Sequence, residues 1–328
     1  MDELYDSHIH LNVAIKKSYR LYSPVYVVSN NKKTIIKNIW QNQITNLDKN
    51  IIGAEIIKFN GHNIKTLIDS FPTVCGDKEN QISRNWITNK ILAGRYAEPR
   101  ILELKLRNGN HIQLNLDDLT FKKHKSLLTT DKIENFGIIT INNSLGESAL
   151  INEFDKALNI IMQTDGLIID LRNTVDGGDS YIARAIMSRF IHKDRPYQKH
   201  SYNEYDKGYP KIKRSWIELV SPRGTMYKKP IVILVGRWTG SMGEGLAIGF
   251  EGMKRAEIVG TEMERLAGSI ENFTIGKSDI GYSLSTEQLY HINGTPREEY
   301  IPTNYVKQTK ISEDEIMQKG IEFLNKNK

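Results

Sequence analysis

Residues 230–253 read PIVILVGRWTGSMGEGLAIGFEGM. Ile231 to Val235 form an unbroken apolar run with the length and β-branched content of a buried strand. The stretch GEGLAIGFEGM reads as a helix, and a tight glycine-rich turn with Ser241 near its tip joins the two. The helix begins close to Ser241, so amides from Ser241 to Gly243 can face a reacting oxygen with the positive end of the helix dipole behind them. A serine hydroxyl is a weak nucleophile until a base takes its proton and donors stabilise the oxyanion. The spacing departs from G-x-S-x-G, because Thr239 stands at the first glycine position. A plain strand-to-helix turn therefore stands beside the nucleophile reading.

The same alternation extends towards the N-terminus. FGIITIN reads as a strand, SALINEFDKALNIIMQ as a helix, DGLIIDLR as a buried strand and SYIARAIMSRFI as a helix. A β-α-β-α-β-α order predicts an α/β fold with a parallel sheet and helices on its faces. Ligands in such sheets sit at the C-terminal ends of the strands. DLRNTVDGG and GRWTGSMGEG both lie at such ends and can face one crevice. Gly177 and Gly178 let the backbone approach a neighbour closely and leave amides free, although a loop leading into a helix explains them equally.

The first half is β-rich. PVYVVSN, TIIKNIW and GAEIIKFNGHNI read as short strands, the last with Ile56, Phe59 and Ile64 inward and a tight turn at Asn60-Gly61. ISRNWITNKILAGR has Ile82, Trp86, Ile87 and Ile91 at helical spacing, and PRILELKLRNG and HIQLNL form a pair of strands turning at Asn108-Gly109. HKSLLTTDKIEN (124–135) is polar and reads as a connector. SEDEIMQKGIEFLNKN reads as an amphipathic helix opened by a Ser312/Glu315 capping pattern. The expected division is 1–23 as an N-terminal segment, 24–123 as a small β-rich domain with an inserted helix, and 124–328 as the α/β domain.

A chain of 328 residues can bury a large core. Its net charge of +6 arises from bases scattered among acids, without the basic, aromatic stripe of a nucleic-acid binder. No apolar stretch is long enough to span a bilayer. A single cysteine, Cys75, excludes an internal disulfide and a cysteine-based zinc site and reads as a structural thiol. No cofactor is called for, and no metal is expected. In YDSHIHL, Asp6, His8 and His10 alternate, which places them on one face of a strand: a catalytic histidine with a polar neighbour, a metal pair, or two surface histidines.

Taken in order, these segments resemble the C-terminal processing peptidase and tricorn family of serine peptidases. DGLIIDLRNTVDGG looks like that family's G-x-I-x-D-L-R-x-N-x-G-G segment. PIVILVGRWTGSMGEGLA looks like its nucleophile segment, where glutamate follows the serine by three positions. AEIVGTEMERLAGS is similar to the V-G-E-x-T-x-G segment that comes next, and GAEIIKFNGHNI resembles the signature of PDZ domains. The resemblance covers nearly the whole chain. It implies a crotonase/ClpP-like ββα core with a PDZ-like domain ahead of it, Ser241 as nucleophile, and an oxyanion hole from Gly177 or Gly178 with the amide of Met242.

One branch of that family uses a lysine about 25 residues after the serine as base. This chain has no lysine between Lys254 and Lys277, and position 265 is arginine, which holds its proton. The tricorn-like branch instead uses a histidine ahead of the PDZ domain, preceded by serine, and Ser7-His8 matches that pair. Its late carboxylate matches Glu298, with Glu299 as the alternative; Glu244 and His10 are further catalytic alternatives. In this reading His8 accepts the Ser241 proton, Glu298 orients the imidazole directly or through Ser7, and an acyl-enzyme on a peptide or unfolded protein is released by water. Self-association into a homo-oligomer is left open. The family is largely exported, so a periplasmic, extracellular or cell-envelope location is expected, with a leader absent from this chain and a cytoplasmic location as the alternative.

Two rivals remain. YDSHIHL also resembles the D-x-H-x-H strand of metal-dependent amidohydrolase barrels, with His8 and His10 as ligands, but the β-rich stretch interrupts the βα repeat such a barrel needs. The other rival is an inactive peptidase-like core whose PDZ-like domain captures peptides by strand addition.

Overall fold

The computed structural model describes residues 5–12, 16–29, 33–72, 78, 80–278 and 280–327; Cys75 lies outside them. The chain forms two units. One comprises Met1–Lys122, Ile270–Leu284 and Gln308–Asp314; the other comprises Lys123–Ser269, Ser285–Lys307 and Glu315–Lys328.

The larger unit is built on a sheet whose strands run in the spatial order Asn304–Tyr305, Glu257–Gly260, Ile231–Val235, Gly166–Asp170, Phe136–Ile141 and Leu128–Ile133. All neighbours pair in parallel except the last two. Both faces of this sheet are covered, which is why its central strands Gly166–Asp170 and Ile231–Val235 are buried at every position and apolar up to Asp170, whose carboxylate pairs with Arg172. Ile139, Ile169, Ile233 and Val235 pack with the helices Leu150–Ile160, Ser180–Met187 and Met242–Gly252. Ile138, Ile168, Val232 and Leu234 face Ile316 and Leu324 of the helix Glu315–Lys326. The fold class is thus α/β.

Three expectations for this unit change. The supposed connector contains an antiparallel edge strand, Leu128–Ile133, whose middle residues Thr129 to Lys132 are exposed and polar because one edge and one face meet solvent. A long hairpin, Arg195–Glu204 with Ile212–Val220, is inserted between the second helix and the third parallel strand. The final helix starts at Glu315, so Asp314 rather than Ser312 precedes its first turn.

The smaller unit carries a sheet ordered Val25–Ser29, Thr34–Ile39, Glu55–Phe59, Ile101–Lys105 and His111–Asn115. Ile56 and Phe59 are both buried although three apart, because the pairing with Ile101–Lys105 shifts register between Ile56 and Lys58. Asn60 and Gly61 both have positive φ, at 49° and 79°, as a tight hairpin turn requires. Ile64 opens a helix, Ile64–Asp69, whose first amides are capped by the Asn63 side chain, so it does not extend the strand. In the helix Gln81–Ala93, Ile87 and Ile91 are buried while Ile82 is exposed.

That helix does more than cover the sheet. Val25–Ser29 is an edge strand, and its outward-facing backbone groups are taken by side chains of the helix. Val27 N–H donates to Asn89 Oδ1 at 3.0 Å, and Asn89 Nδ2 donates to the Val27 carbonyl at 2.8 Å. Ser29 N–H donates to Asn85 Oδ1 at 2.8 Å, and Gln81 Nε2 donates to the Ser29 carbonyl. These are the bonds an added peptide strand would make, so strand addition at this edge is blocked by the chain's own amides.

Asp6, His8 and His10 do not share a strand face. Only His10–Leu11 is extended, pairing with Ser283 and Tyr282; residues 7 and 8 form a turn in which Asp6 Oδ1 accepts the His8 N–H at 3.0 Å. The Asp6 carboxylate satisfies the turn locally, which overrides the alternation.

Candidate active site

Ser241 ends the turn after Ile231–Val235 and is half-buried, with φ 47° and ψ −109°. A non-glycine residue is strained there by about 1–3 kcal/mol, and such strain persists only where the surroundings enforce it. They do. Thr239 and Thr174 pair as a parallel bridge, Gly240 N–H donates to the Thr174 carbonyl at 3.2 Å, and both threonine hydroxyls donate to the Leu171 carbonyl. The two glycine-rich strand ends are thereby zipped together.

Gly177 and Gly178 have different tasks. Gly177 has φ +68°, and a Cβ there would lie 2.4 Å from Ser241 Cβ and 3.0 Å from its Oγ. Its backbone is pressed against the serine, and its N–H is already given to the Thr174 carbonyl at 3.0 Å. A Cβ at Gly178 would lie 2.1 Å from the Leu145 carbonyl carbon, so the close approach there is to a neighbouring loop. Gly178 is exposed, and among the described residues its N–H has no acceptor. Met242 supplies the first helical amide after Ser241.

Glu244, one turn into the helix, is fully buried. Its Oε2 accepts the Ser241 N–H at 3.0 Å and the Leu266 N–H at 3.2 Å, while Oε1 accepts the Arg265 N–H at 2.8 Å. Burial pushes its carboxyl up to about 7, against the opposing pull of Arg297 and of the Arg265 and Leu266 amides. Glu244 is therefore the strut between the serine turn and the segment 263–269. The Glu264 N–H adds a bond to the Thr239 carbonyl at 3.0 Å. Arg265, at φ 67°, donates from Nε to the Glu298 carbonyl at 2.6 Å, so residue 265 performs a structural task where a lysine base was missing. Glu298 and Glu299 lie in the single turn Arg297–Glu299, the first half-buried and the second exposed.

In the smaller unit, His8 is buried at 5 % exposure. The His10 Nδ1 lies 3.1 Å from the His8 carbonyl oxygen. Burial holds the His10 ring below the usual histidine range; the His8 carbonyl opposes this and nearby Lys90 adds to it. Among the described residues no group of three or more histidine, cysteine, aspartate or glutamate side chains is arranged to hold a metal ion.

Residues 135–306, more than half of the chain, match the model of peptidase family S41. The chain belongs to peptidase family S41. This S41 peptidase is a serine peptidase, a hydrolase of peptide or protein substrates, and the metal-dependent amidohydrolase reading gives way to that assignment. Its fold is similar to that of mature CPAF, at 14 % identity and a TM-score of 0.62 over 98 % of this chain and 84 % of that one. CPAF complexed with lactacystin is similar at 14 % identity and 0.60, over 99 % and 85 %. The photosystem II D1 C-terminal processing protease is similar at 15 % and 0.53, over 93 % and 79 %. No curated protein matches the S41 peptidase in sequence. No helix among the described residues is long and apolar enough to cross a membrane.

The Thr174–Thr239 zipper and the Glu244 strut were not legible as site features. A Ser-x-x-Glu spacing was visible, but nothing in it says that the carboxylate is buried behind the serine rather than presented to a substrate.

Proposed function

We propose that Ser241 is the nucleophile of a peptide hydrolase acting through an acyl-enzyme. The observation that carries this is the strained Ser241 backbone, held by the Thr174–Thr239 zipper with Gly177 pressed against the serine Cβ. Strain stored in a strand-to-helix turn sets the hydroxyl at the tip, as in nucleophile elbows of other hydrolases.

His8 takes the Ser241 proton as Oγ attacks the scissile carbonyl carbon. The N–H groups of Gly178 and Met242 receive the oxyanion; of the two paired glycines, Gly178 is preferred because the Gly177 N–H is engaged. His8 then gives its proton to the leaving amine, and water attacks the ester with His8 again as base. Glu298 orients the imidazole, directly or through Ser7. The roles of His8, Ser7 and Glu298 rest on their match to the tricorn-like pattern. A β-rich domain of PDZ-like ancestry with a self-occupied edge, a crotonase-like core and an exported, cell-envelope location complete the reading, the last resting on family likeness alone.

A fluorophosphonate tests it. Labelling at Ser241 that is abolished in Ser241→Ala and reduced at least a hundredfold in His8→Ala is expected, because losing the base removes most nucleophile activation. Labelling of His8→Ala at the wild-type rate removes His8 from the mechanism.

A further inference from the structure

The larger unit holds a second polar cluster that the proposed chemistry does not use. His200, on the strand Arg195–Glu204, is buried and its ring stacks on Trp216, with centroids 4.9 Å apart and planes at 16°. Its Nδ1 lies 2.6 Å from Glu287 Oε1, and its Nε2 lies 3.1 Å from Glu218 Oε2 and 3.1 Å from Gln198 Nε2. The ring thus bridges the two carboxylates through its two nitrogens. Around it, Glu218 also receives the Tyr197 hydroxyl and the Arg184 guanidinium.

Each carboxylate leads back towards Ser241. The other oxygen of Glu287 accepts the Ser269 hydroxyl at 2.7 Å. Ser269 closes the segment whose Arg265 and Leu266 amides hold Glu244, and Glu244 holds the Ser241 N–H. A Cβ on Gly268 would lie 2.0 Å from the Glu287 carbonyl oxygen, so this segment is pressed against the strand that carries Glu287. On the other side, Arg184 belongs to the helix Ser180–Met187, which starts two residues after Gly178. His200 is therefore the node that ties three strands to both flanks of the serine turn.

We propose that His200 is a positioning residue for the peptidase reaction: bridging Glu287 and Glu218, it fixes the 265–269 segment and through Glu244 the Ser241 turn. The inference rests on the reading of Ser241 as nucleophile. The cost of losing such a clamp follows from geometry, since a misplacement of about 1 Å from a remote change slows chemistry by up to about a hundredfold.

The test compares wild type with His200→Phe, which keeps the stacking surface but donates to neither carboxylate, and His200→Arg, which restores a planar donor. Two readouts are taken on the full chain: the rate constant for fluorophosphonate labelling of Ser241, and hydrogen exchange of the 264–269 amides. His200→Phe is expected to label roughly 10–100-fold more slowly and to lose exchange protection at 265 and 266, with circular dichroism unchanged. His200→Arg recovers most of both. Should His200→Phe fail to fold, Ser269→Ala, which cuts only the bond to Glu287, is expected to move both readouts in the same direction. Wild-type labelling and exchange in His200→Phe, or in Ser269→Ala where that variant stands in, overturn the inference while leaving Ser241 as nucleophile. If wild-type Ser241 is itself not labelled, the nucleophile reading fails, and the exchange readout alone decides whether His200 is a clamp.

Discussion

Adding one methyl group at Gly177 perturbs the proposed site more directly than any charge change. Alanine there must adopt φ +68° and place its Cβ 2.4 Å from Ser241 Cβ. The backbone term for an L-residue in this region is about 1–2 kcal/mol. Carbon atoms rest at about 3.5–4 Å, so the two groups must part by roughly 1–1.5 Å, and overpacking of this kind costs about 1–3 kcal/mol. Gly177→Ala is therefore expected to lose about 2–5 kcal/mol of stability in total. The displacement falls on the serine, so fluorophosphonate labelling is expected to drop roughly a hundredfold. Gly178→Ala is expected to destabilise too and to slow labelling by a different route, since its Cβ meets the Leu145 backbone and moves the proposed oxyanion donor rather than the serine. Urea unfolding and labelling rates measured on both variants decide the matter. Gly177→Ala that labels at the wild-type rate and unfolds at the wild-type midpoint refutes the argument that this glycine is held by contact with Ser241.

Glu244→Gln must turn an NH2 towards at least one of three backbone donors, which costs about 1–3 kcal/mol for the unsatisfied group and slows labelling. The pH dependence has a definite sign. With its carboxyl raised to about 7, Glu244 contributes stability that is present below its unfolded value near 4.5 and is lost as pH rises through 7. Relative to wild type, Glu244→Gln should thus improve between pH 5 and pH 8, by up to roughly 3 kcal/mol, in thermal melts. Phe250→Ala, in the core beside Phe190 at 5.2 Å, is expected to cost about 3–5 kcal/mol in urea unfolding. Asn85→Ala with Asn89→Ala frees the Val27 N–H and C=O and the Ser29 N–H, which should speed hydrogen exchange at Val27 and Ser29; unchanged exchange would mean those amide bonds are not formed in solution.

The parallel sheet was readable because both of its faces are buried, so that IVILV is apolar throughout and GLIID is apolar up to its closing Asp170, and neither can be mistaken for loop. The hairpin was not. Ile212–Val220 is exposed along most of its length, and Lys213, Arg214, Ser215 and Glu218 interrupt any apolar period. Leu128–Ile133 was hidden for the same reason. At the site, the serine turn and the glycine pair were visible as a pattern, yet the division of labour between Gly177 and Gly178 depends on which backbone each one meets. Local hydrogen bonding defeated the reading of residues 6–10, where the Asp6 carboxylate bends the chain into a turn. Engaged amides and carboxylates such as the half-buried Asn89 and the buried Glu244 look like surface residues in a sequence, and only their partners reveal otherwise.

The occupied edge at Val25–Ser29 also bears on behaviour at high concentration. An uncovered strand edge is a template on which another molecule's strand can grow, the first step towards sheet-mediated aggregation. The row formed by Gln81, Asn85 and Asn89 removes that template without a proline or a charge in Val25–Ser29, using amides that carry both a donor and an acceptor. A hydrolase of peptide or protein substrates thereby keeps one sheet edge from being captured by them.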